Sequence, residues 1–77
     1  MNKILELLSE LRPEFDFSES NDFIEDGYLD SFDIVSLVSE LETEYGCLIE
    51  GMDVRSENFC SVKAIEQLVK KSGGTIG

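Results

Sequence analysis

The sequence predicts an all-α domain, a small four-helix bundle with three longer helices and one short one. Three segments repeat apolar residues at the spacing of a helical face, and no stretch of useful length alternates apolar and polar residues as a β-strand does. Pro13, Gly46, Gly73 and Gly74 stand where these segments should end. Hydrophobic residues make up 42% of the 77 residues, enough for one small core, so we expect a single domain over residues 1–77.

The first helix is predicted from Asn2 to Leu11, because Pro13 disfavours helical geometry in the residue before it. The apolar residues on one face of this helix are Ile4, Leu7, Leu8 and Leu11. Residues 14–30 then mix Ser, Asn, Asp and Gly with apolar residues that are too irregularly spaced for a helix: Phe15, Phe17, Phe23 and Ile24. We expect those apolar residues to attach a long loop to the core, and a loop of this length in so small a domain usually has a function.

The second helix is predicted to begin at Asp30 or Ser31, either of which can cap free backbone amides, and to end before Gly46. Helical geometry places these residues on its core side, with Val35 at the rim: Ile34, Leu37, Val38, Leu41 and Tyr45. The opposite, polar side contains Ser36, Ser39, Glu40 and Thr43. Phe32 projects onto that polar side, where an apolar ring is a contact point for partners or folds back onto Tyr28 or Phe23.

The last helix is predicted to begin after Ser61, whose side chain can cap it. Before it, residues 55–59, RSENF, can form one helical turn anchored by Phe59. The inward side chains of the last helix are Val62, Ile65, Leu68 and Val69, and Lys70 and Lys71 complement its dipole. We expect residues 73–77 to form a flexible tail.

Charge and hydropathy exclude several classes of function. Six Lys and Arg against 17 Asp and Glu give a net charge of −11, which repels nucleic acid and anionic membranes and attracts basic partners. No apolar run approaches the roughly 20 residues of a membrane span. We therefore expect a cytoplasmic monomer that binds no nucleic acid and does not span a membrane.

The sequence predicts neither an independent enzyme nor a metal site formed by its cysteines. The chain has no histidine to activate a serine nucleophile, and no lysine lies near Ser31. Paired carboxylates are plentiful, but their use in catalysis needs a cleft that a 77-residue bundle hardly offers. Cys47 and Cys60 lack CxxC spacing, so we expect buried or half-buried thiols and neither a metal site nor a disulfide framework.

A calcium loop is the alternative that the sequence leaves open. Residues Asp22 to Asp33, DFIEDGYLDSFD, nearly fit a twelve-residue EF-hand loop with Gly27 at the sixth position. Ile24 at the third position has no oxygen to offer, and Asp33 stands where a longer glutamate normally binds. The sequence therefore leaves open, as an alternative function, an acidic helical interaction module or a calcium-binding module.

The remaining role for Ser31 is to be modified by another protein. A helix N-terminus presents unpaired amides and partial positive charge, which favour an attached phosphate by ~0.3 to 1 kcal/mol. Asp30 and Asp33 oppose that attraction, so we interpret them as a recognition surface or as ligands for a metal that the modifying enzyme supplies. Phe32, next to the modified residue, would then be a point of partner contact.

The stretch FIEDGYLDSFDIVSLVSELETEYG, residues 23–46, resembles the core of an acyl carrier protein. In that family an Asp-Ser motif followed by Leu, Met or Phe opens the second helix. The similarity runs from the first helix through Val69, with LIEG after the second helix and NFCSVKAI entering the last. Residues 27–31, GYLDS, are similar to stand-alone carriers of specialised pathways and to D-alanyl carriers.

The resemblance implies a carrier and not an enzyme. A phosphopantetheinyl transferase would attach 4'-phosphopantetheine from coenzyme A to Ser31. The thiol of that arm would hold acyl or aminoacyl intermediates as thioesters for enzymes that make fatty acids, lipids, polyketides or nonribosomal peptides. Residues that match the family's flanking acids, its exposed apolar position and a further acidic position are Asp30, Asp33, Phe32 and Glu42.

Two differences from the fatty-acid carriers imply dedicated partners. Ser36 and Thr43 stand where those carriers commonly have acids, and Glu50 and Gly51 replace a proline and an acidic residue. We expect acyl-loading and acyl-transfer enzymes to contact a partner face formed by Ser36, Ser39, Glu40, Glu42 and Thr43.

Overall fold

The computed structural model describes residues 3–74 and contains three α-helices: α1, Lys3–Leu11; α2, Ser31–Tyr45; and α3, Val62–Lys71. Three-residue 3-10 turns lie in the connections, at Phe17–Glu19, Gly51–Asp53 and Ser56–Asn58. No strand occurs within residues 3–74, which confirms the all-helical prediction for that part of the chain. None of the three helices has the length and apolar character needed to cross a bilayer. Asn2, predicted to open α1, lies outside the described residues.

The core lies where α1 packs against both α2 and α3. The predicted apolar faces supply most of it, and the side chains that are almost completely buried are Ile4, Leu8, Phe23, Leu37, Leu41, Phe59, Ile65 and Val69. Phe59 follows the short turn Ser56–Asn58 and is completely buried, as predicted for an anchor. The core members that lie outside the three helices include three aromatic rings, and they are Phe17, Phe23, Leu29, Cys47, Ile49 and Phe59.

The helix boundaries follow the predicted capping residues. Asp30 is the N-cap of α2, and Gly46 ends that helix with φ +62, a left-handed conformation that glycine adopts without strain. Ser61 caps α3 by accepting a hydrogen bond from the Ala64 N–H at 3.1 Å. The Gly74 N–H donates to the Val69 carbonyl at 2.8 Å, so the start of the predicted tail still takes part in the end of α3.

An aromatic cluster attaches the long connection between α1 and α2 to the core. The rings of Phe15 and Tyr28 stack with their centroids 4.5 Å apart, and Phe17 meets Tyr28 and Phe23 edge to face. The Phe23 N–H also donates to the Cys60 carbonyl at 2.7 Å, which joins this connection to the start of α3. These contacts confirm the predicted role of the aromatic residues and fix the chain just before α2 begins.

Candidate functional site

The first turn of α2 is held by a capping box. The Asp30 carboxylate accepts a hydrogen bond from the Asp33 N–H at 2.9 Å, and the Asp33 carboxylate accepts one from the Asp30 N–H at 3.2 Å. Each carboxylate thus satisfies a backbone amide that the helix itself leaves unpaired. Because Asp30 caps the helix, Ser31 is its first residue and its side chain is not needed for capping.

The Ser31 side chain is exposed, and its hydroxyl has no hydrogen-bond partner among residues 3–74. Phe32, the next residue, is 78% exposed. Its ring therefore does not fold back onto the aromatic cluster, where Tyr28 stacks on Phe15 instead. The first turn of α2 presents a free hydroxyl and an apolar ring side by side, so of the two possibilities left open for Phe32 the structure has the exposed one.

Arg12 joins the end of α1 to this turn. Its Nε and Nη2 atoms each lie 2.9 Å from Asp33 Oδ2, and Nη2 lies 3.7 Å from a carboxylate oxygen of Asp30. A guanidinium is always protonated in a protein, so Arg12 cannot act as a general base for Ser31. Arg12 therefore places a cation near the start of α2, but no base contacts the Ser31 hydroxyl within the described part of the chain.

Asp33 has a different environment from the one that the sequence predicts. Its side chain is only 6% exposed, so it does not present a carboxylate on the recognition surface, and we correct that expectation. Burial alone would raise the pKa of Asp33, but hydrogen bonds from the Arg12 side chain and the Asp30 N–H outweigh burial and lower the pKa below its ordinary value. Asp33 stays ionised at neutral pH and holds the start of α2.

An open groove of about 400 Å³ lies beside Ser31. Its walls are mostly apolar and come from three parts of the chain: Ile24 and Leu29 before α2, Ile34 and Val35 in α2, and Val54 in the connection to α3. Asp30, Ser31 and Ser56 contribute the polar part of the lining. Sequence reasoning missed Val54, which lies in an irregular stretch, and Ser56, because the turn predicted over residues 55–59 carries no signal for its position beside α2.

The predicted partner face of α2 is only partly available to a partner. Ser39, Glu40 and Thr43 are exposed, and Ser36 is half-buried. Glu42 is also half-buried, and its carboxylate accepts a hydrogen bond from the Ile49 N–H at 2.9 Å. Glu42 therefore also has a structural role, since it holds the chain that leaves α2.

The carboxylates of the possible calcium loop are engaged with other groups. The Asp22 carboxylate accepts hydrogen bonds from the Ile24 and Glu25 N–H groups, at 3.1 and 3.0 Å, and Asp26 accepts one from the Ser20 hydroxyl at 2.6 Å. Asp30 and Asp33 form the capping box. Within residues 3–74 no three acidic, cysteine or histidine side chains form a group that could hold a metal ion.

Both cysteines are free thiols, buried at Cys47 and half-buried at Cys60, as predicted. The Cys47 thiol donates to the Leu41 carbonyl at 3.7 Å, and burial raises the pKa of Cys47. The Cys60 thiol donates to the Glu57 carbonyl at 3.5 Å. Neither thiol lines the groove beside Ser31.

Comparison of this chain with models of protein families, with curated proteins and with solved structures gives no match.

Proposed function

We propose that this chain is a carrier protein of the acyl-carrier type, a four-helix bundle in which Ser56–Asn58 is the short fourth member, and that 4'-phosphopantetheine is attached at Ser31. The observation that carries the proposal is that the Ser31 hydroxyl is exposed and has no hydrogen-bond partner among the described residues. The capping box formed by Asp30 and Asp33 fixes the backbone around Ser31 without a hydrogen bond to its hydroxyl. A serine that only capped the helix would have its oxygen on a backbone N–H. The resemblance of residues 23–46 to acyl carriers supports the same assignment.

The groove beside Ser31 fits the arm that the proposal requires. A flexible chain that leaves Ser31 can lie along the apolar side chains of Ile34, Val35 and Val54, while Ser56 offers a hydroxyl for a polar group. Once attached, the arm would supply a thiol that carries acyl or aminoacyl intermediates as thioesters. Neither Cys47 nor Cys60 is needed for that chemistry.

Attachment would use the Ser31 hydroxyl as a nucleophile that a transferase activates. Ser31 Oγ forms a bond to the phosphorus that carries pantetheine in coenzyme A, and the bond from that phosphorus to the bridging oxygen of the diphosphate breaks. Adenosine 3',5'-bisphosphate leaves, and the hydroxyl proton passes to a base of the transferase. The transferase would have to supply this base, because no basic group is hydrogen-bonded to the Ser31 hydroxyl within residues 3–74.

Partner enzymes would dock on the first turn of α2 and along its exposed face. Phe32 offers an exposed ring, Asp30 a largely exposed carboxylate, and Ser39, Glu40 and Thr43 continue the surface. The net charge of −11 favours partners with a basic surface around an apolar pocket. We propose that these partners are a phosphopantetheinyl transferase and the enzymes that load and remove the cargo, and that the carrier acts as a monomer.

The test is the intact mass of the protein after incubation with coenzyme A and a broad-specificity phosphopantetheinyl transferase. We expect a gain of one arm for the natural sequence, no gain for Ser31→Ala, and the full gain for Ser61→Ala, which removes a serine at the other capped helix start. An unchanged mass for the natural sequence with several transferases would contradict the proposal.

A further inference from the structure

Arg12 makes the contact between α1 and the residues around Ser31. Its backbone N–H donates to the Leu8 carbonyl at 2.9 Å, so the residue is fixed to the last turn of α1. Its side chain then crosses to a carboxylate 21 residues away, where two of its nitrogens lie 2.9 Å from Asp33 Oδ2. A third nitrogen, Nη1, lies 3.2 Å from a Glu14 carboxylate oxygen, and the Arg12 side chain is 35% exposed.

The two carboxylates that Arg12 approaches are also the ones that fix the backbone on either side of Ser31. Asp33 Oδ2, which accepts from Arg12, also accepts from the Asp30 N–H at 3.2 Å. Asp30 Oδ2 lies 3.7 Å from Arg12, while Oδ1 accepts from the Asp33 N–H at 2.9 Å. Along the chain, Ser31 and Phe32 therefore lie between two residues that are joined to each other and to Arg12 by hydrogen bonds and ion pairs.

We propose that Arg12 is a positioning residue for the loading of Ser31, where loading means attachment of the arm. By holding Asp33 and Asp30 in place, Arg12 keeps the backbone that carries Ser31 in the orientation that the transferase requires. This inference rests on the proposed function of Ser31. It adds that the reactivity of Ser31 depends on a residue of α1, which is remote in sequence.

A planar guanidinium is needed for this role, because it places two donors on one carboxylate oxygen in a fixed geometry. Without Arg12 the nearly buried Asp33 carboxylate loses the cation that pairs with it, and an unpaired buried charge is unfavourable. We therefore expect the carboxylate to move toward water and to release the Asp30 N–H. Small displacements of a reacting group reduce rates strongly. The exposed side chains farther along α2, Ser39, Glu40 and Thr43, have no hydrogen bond or ion pair with Arg12, so most of the surface that the transferase would bind is retained and KM should change little.

The first experiment compares steady-state loading of the natural sequence, Arg12→Gln and Arg12→Lys, with the carrier as the varied substrate. We expect Arg12→Gln to lower kcat about tenfold with KM within about twofold, and Arg12→Lys to give an intermediate kcat because it restores the charge but not the fork. A purely structural role would reduce the folded fraction, which raises the apparent KM and leaves the saturating kcat unchanged. A raised KM with an unchanged kcat for Arg12→Gln, or natural values of both, would overturn the inference about Arg12. The carrier proposal would still stand in that case, provided that the natural sequence is loaded.

The control is Lys71→Gln. Lys71 also forms a 2.9 Å ion pair, with Asp53, and its loss changes the net charge by the same amount. We expect the natural kcat for this variant. An equal loss in Lys71→Gln would show a general effect of charge and overturn the inference.

The second experiment tests whether Arg12 acts through Asp33. Asp33→Asn removes the charge that Arg12 holds, so adding Arg12→Gln to it should lower kcat by less than about twofold further. Multiplied effects would mean that Arg12 does not act through Asp33, and would overturn the positioning role. A natural sequence that gains no arm at all would overturn both the carrier proposal and this inference.

Discussion

Ser31 and Ser61 stand at the starts of the α-helices α2 and α3, and their side chains differ in what they do. Ser61 lies before the first residue of α3, and its hydroxyl accepts the Ala64 N–H at 3.1 Å. Ser31 is itself the first residue of α2, where Asp30 has taken the capping role, and its hydroxyl has no partner within residues 3–74. One position along the chain therefore separates a serine that stabilises a helix from one whose hydroxyl is free to react.

The neighbours of the two serines extend this contrast. The third residue of α2 is the buried Asp33, which completes the capping box and pairs with Arg12, whereas the third residue of α3 is Ala64. Phe32 after Ser31 is exposed, whereas Val62 after Ser61 is half-buried against the core. The start of α2 has more side-chain hydrogen bonds than that of α3 and also presents more of its side chains to solvent. The proposed attachment of an arm by another protein would require such exposure.

Among changes at the two helix starts, replacing Asp33 with alanine should have the largest effect on stability, because it removes the contacts that distinguish the start of α2 from that of α3. The change leaves the Asp30 N–H and the Arg12 guanidinium without their nearly buried acceptor. We expect the free energy of unfolding in urea at pH 7 to fall by about 2 kcal/mol. Asp53→Ala, which removes a more exposed ion pair with Lys71, is the control and should cost clearly less. Equal losses would show that the α2 start has no special stability.

The two serines should separate in both stability and loading. Ser61→Ala removes an N-cap bond and should lower the free energy of unfolding by about 1 kcal/mol, with loading unchanged. Ser31→Ala removes a hydroxyl without a partner and should change stability by less than about 0.5 kcal/mol while abolishing loading. Thermal denaturation of both variants, with intact mass after loading, checks this. A loss for Ser31→Ala as large as that for Ser61→Ala would mean that Ser31 is also structural.

Titration of Asp33 should produce a smaller effect with a defined direction. The pKa of Asp33 is lowered in the folded state, so its contribution to stability is fully present above the ordinary value of 3.8 and is lost as pH falls through the folded pKa. We expect the difference in unfolding free energy between the natural sequence and Asp33→Asn to stay constant from pH 7 to about pH 5 and to shrink below about pH 4. A difference that persists undiminished to about pH 3 would contradict the assigned environment of Asp33.

Phe32 should have the smallest effect on stability. Because its ring is 78% exposed, Phe32→Ala should leave the free energy of unfolding within about 0.5 kcal/mol of the natural value but slow loading or cargo transfer several-fold. Phe23→Ala is the matched control, since that ring is 1% exposed and its loss should cost about 3 to 5 kcal/mol. Natural rates with every partner for Phe32→Ala would remove this ring from the docking surface.

The helices were predictable because local signals determine where they begin and end. Pro13 after α1, Gly46 after α2 and Ser61 before α3 each act on neighbouring backbone, so the sequence contains the information. Apolar spacing likewise predicts which faces are buried. The short turns Phe17–Glu19 and Gly51–Asp53 were not predicted, because three-residue turns leave no periodic pattern.

The site was predictable only in part, because it depends on contacts between distant residues. Local pattern places Asp30, Ser31 and Phe32 together at the start of α2, and the structure has them there. The burial of Asp33 was not, since its partner Arg12 is 21 residues away and belongs to another element. Glu42 was expected on the partner face, yet it also holds Ile49, a contact that depends on the path of the chain after α2. Helical spacing assigns a side chain to a face but does not identify its partner.

The most direct test of the central claim is tandem mass spectrometry of peptides from the protein after loading, and of the protein purified from its native host. The account predicts one modified residue, Ser31, with the arm on the peptide that contains Asp30 and Phe32 and with Ser61 unmodified. An arm on Ser61 or any other residue, or an unmodified Ser31 in both samples, would contradict it.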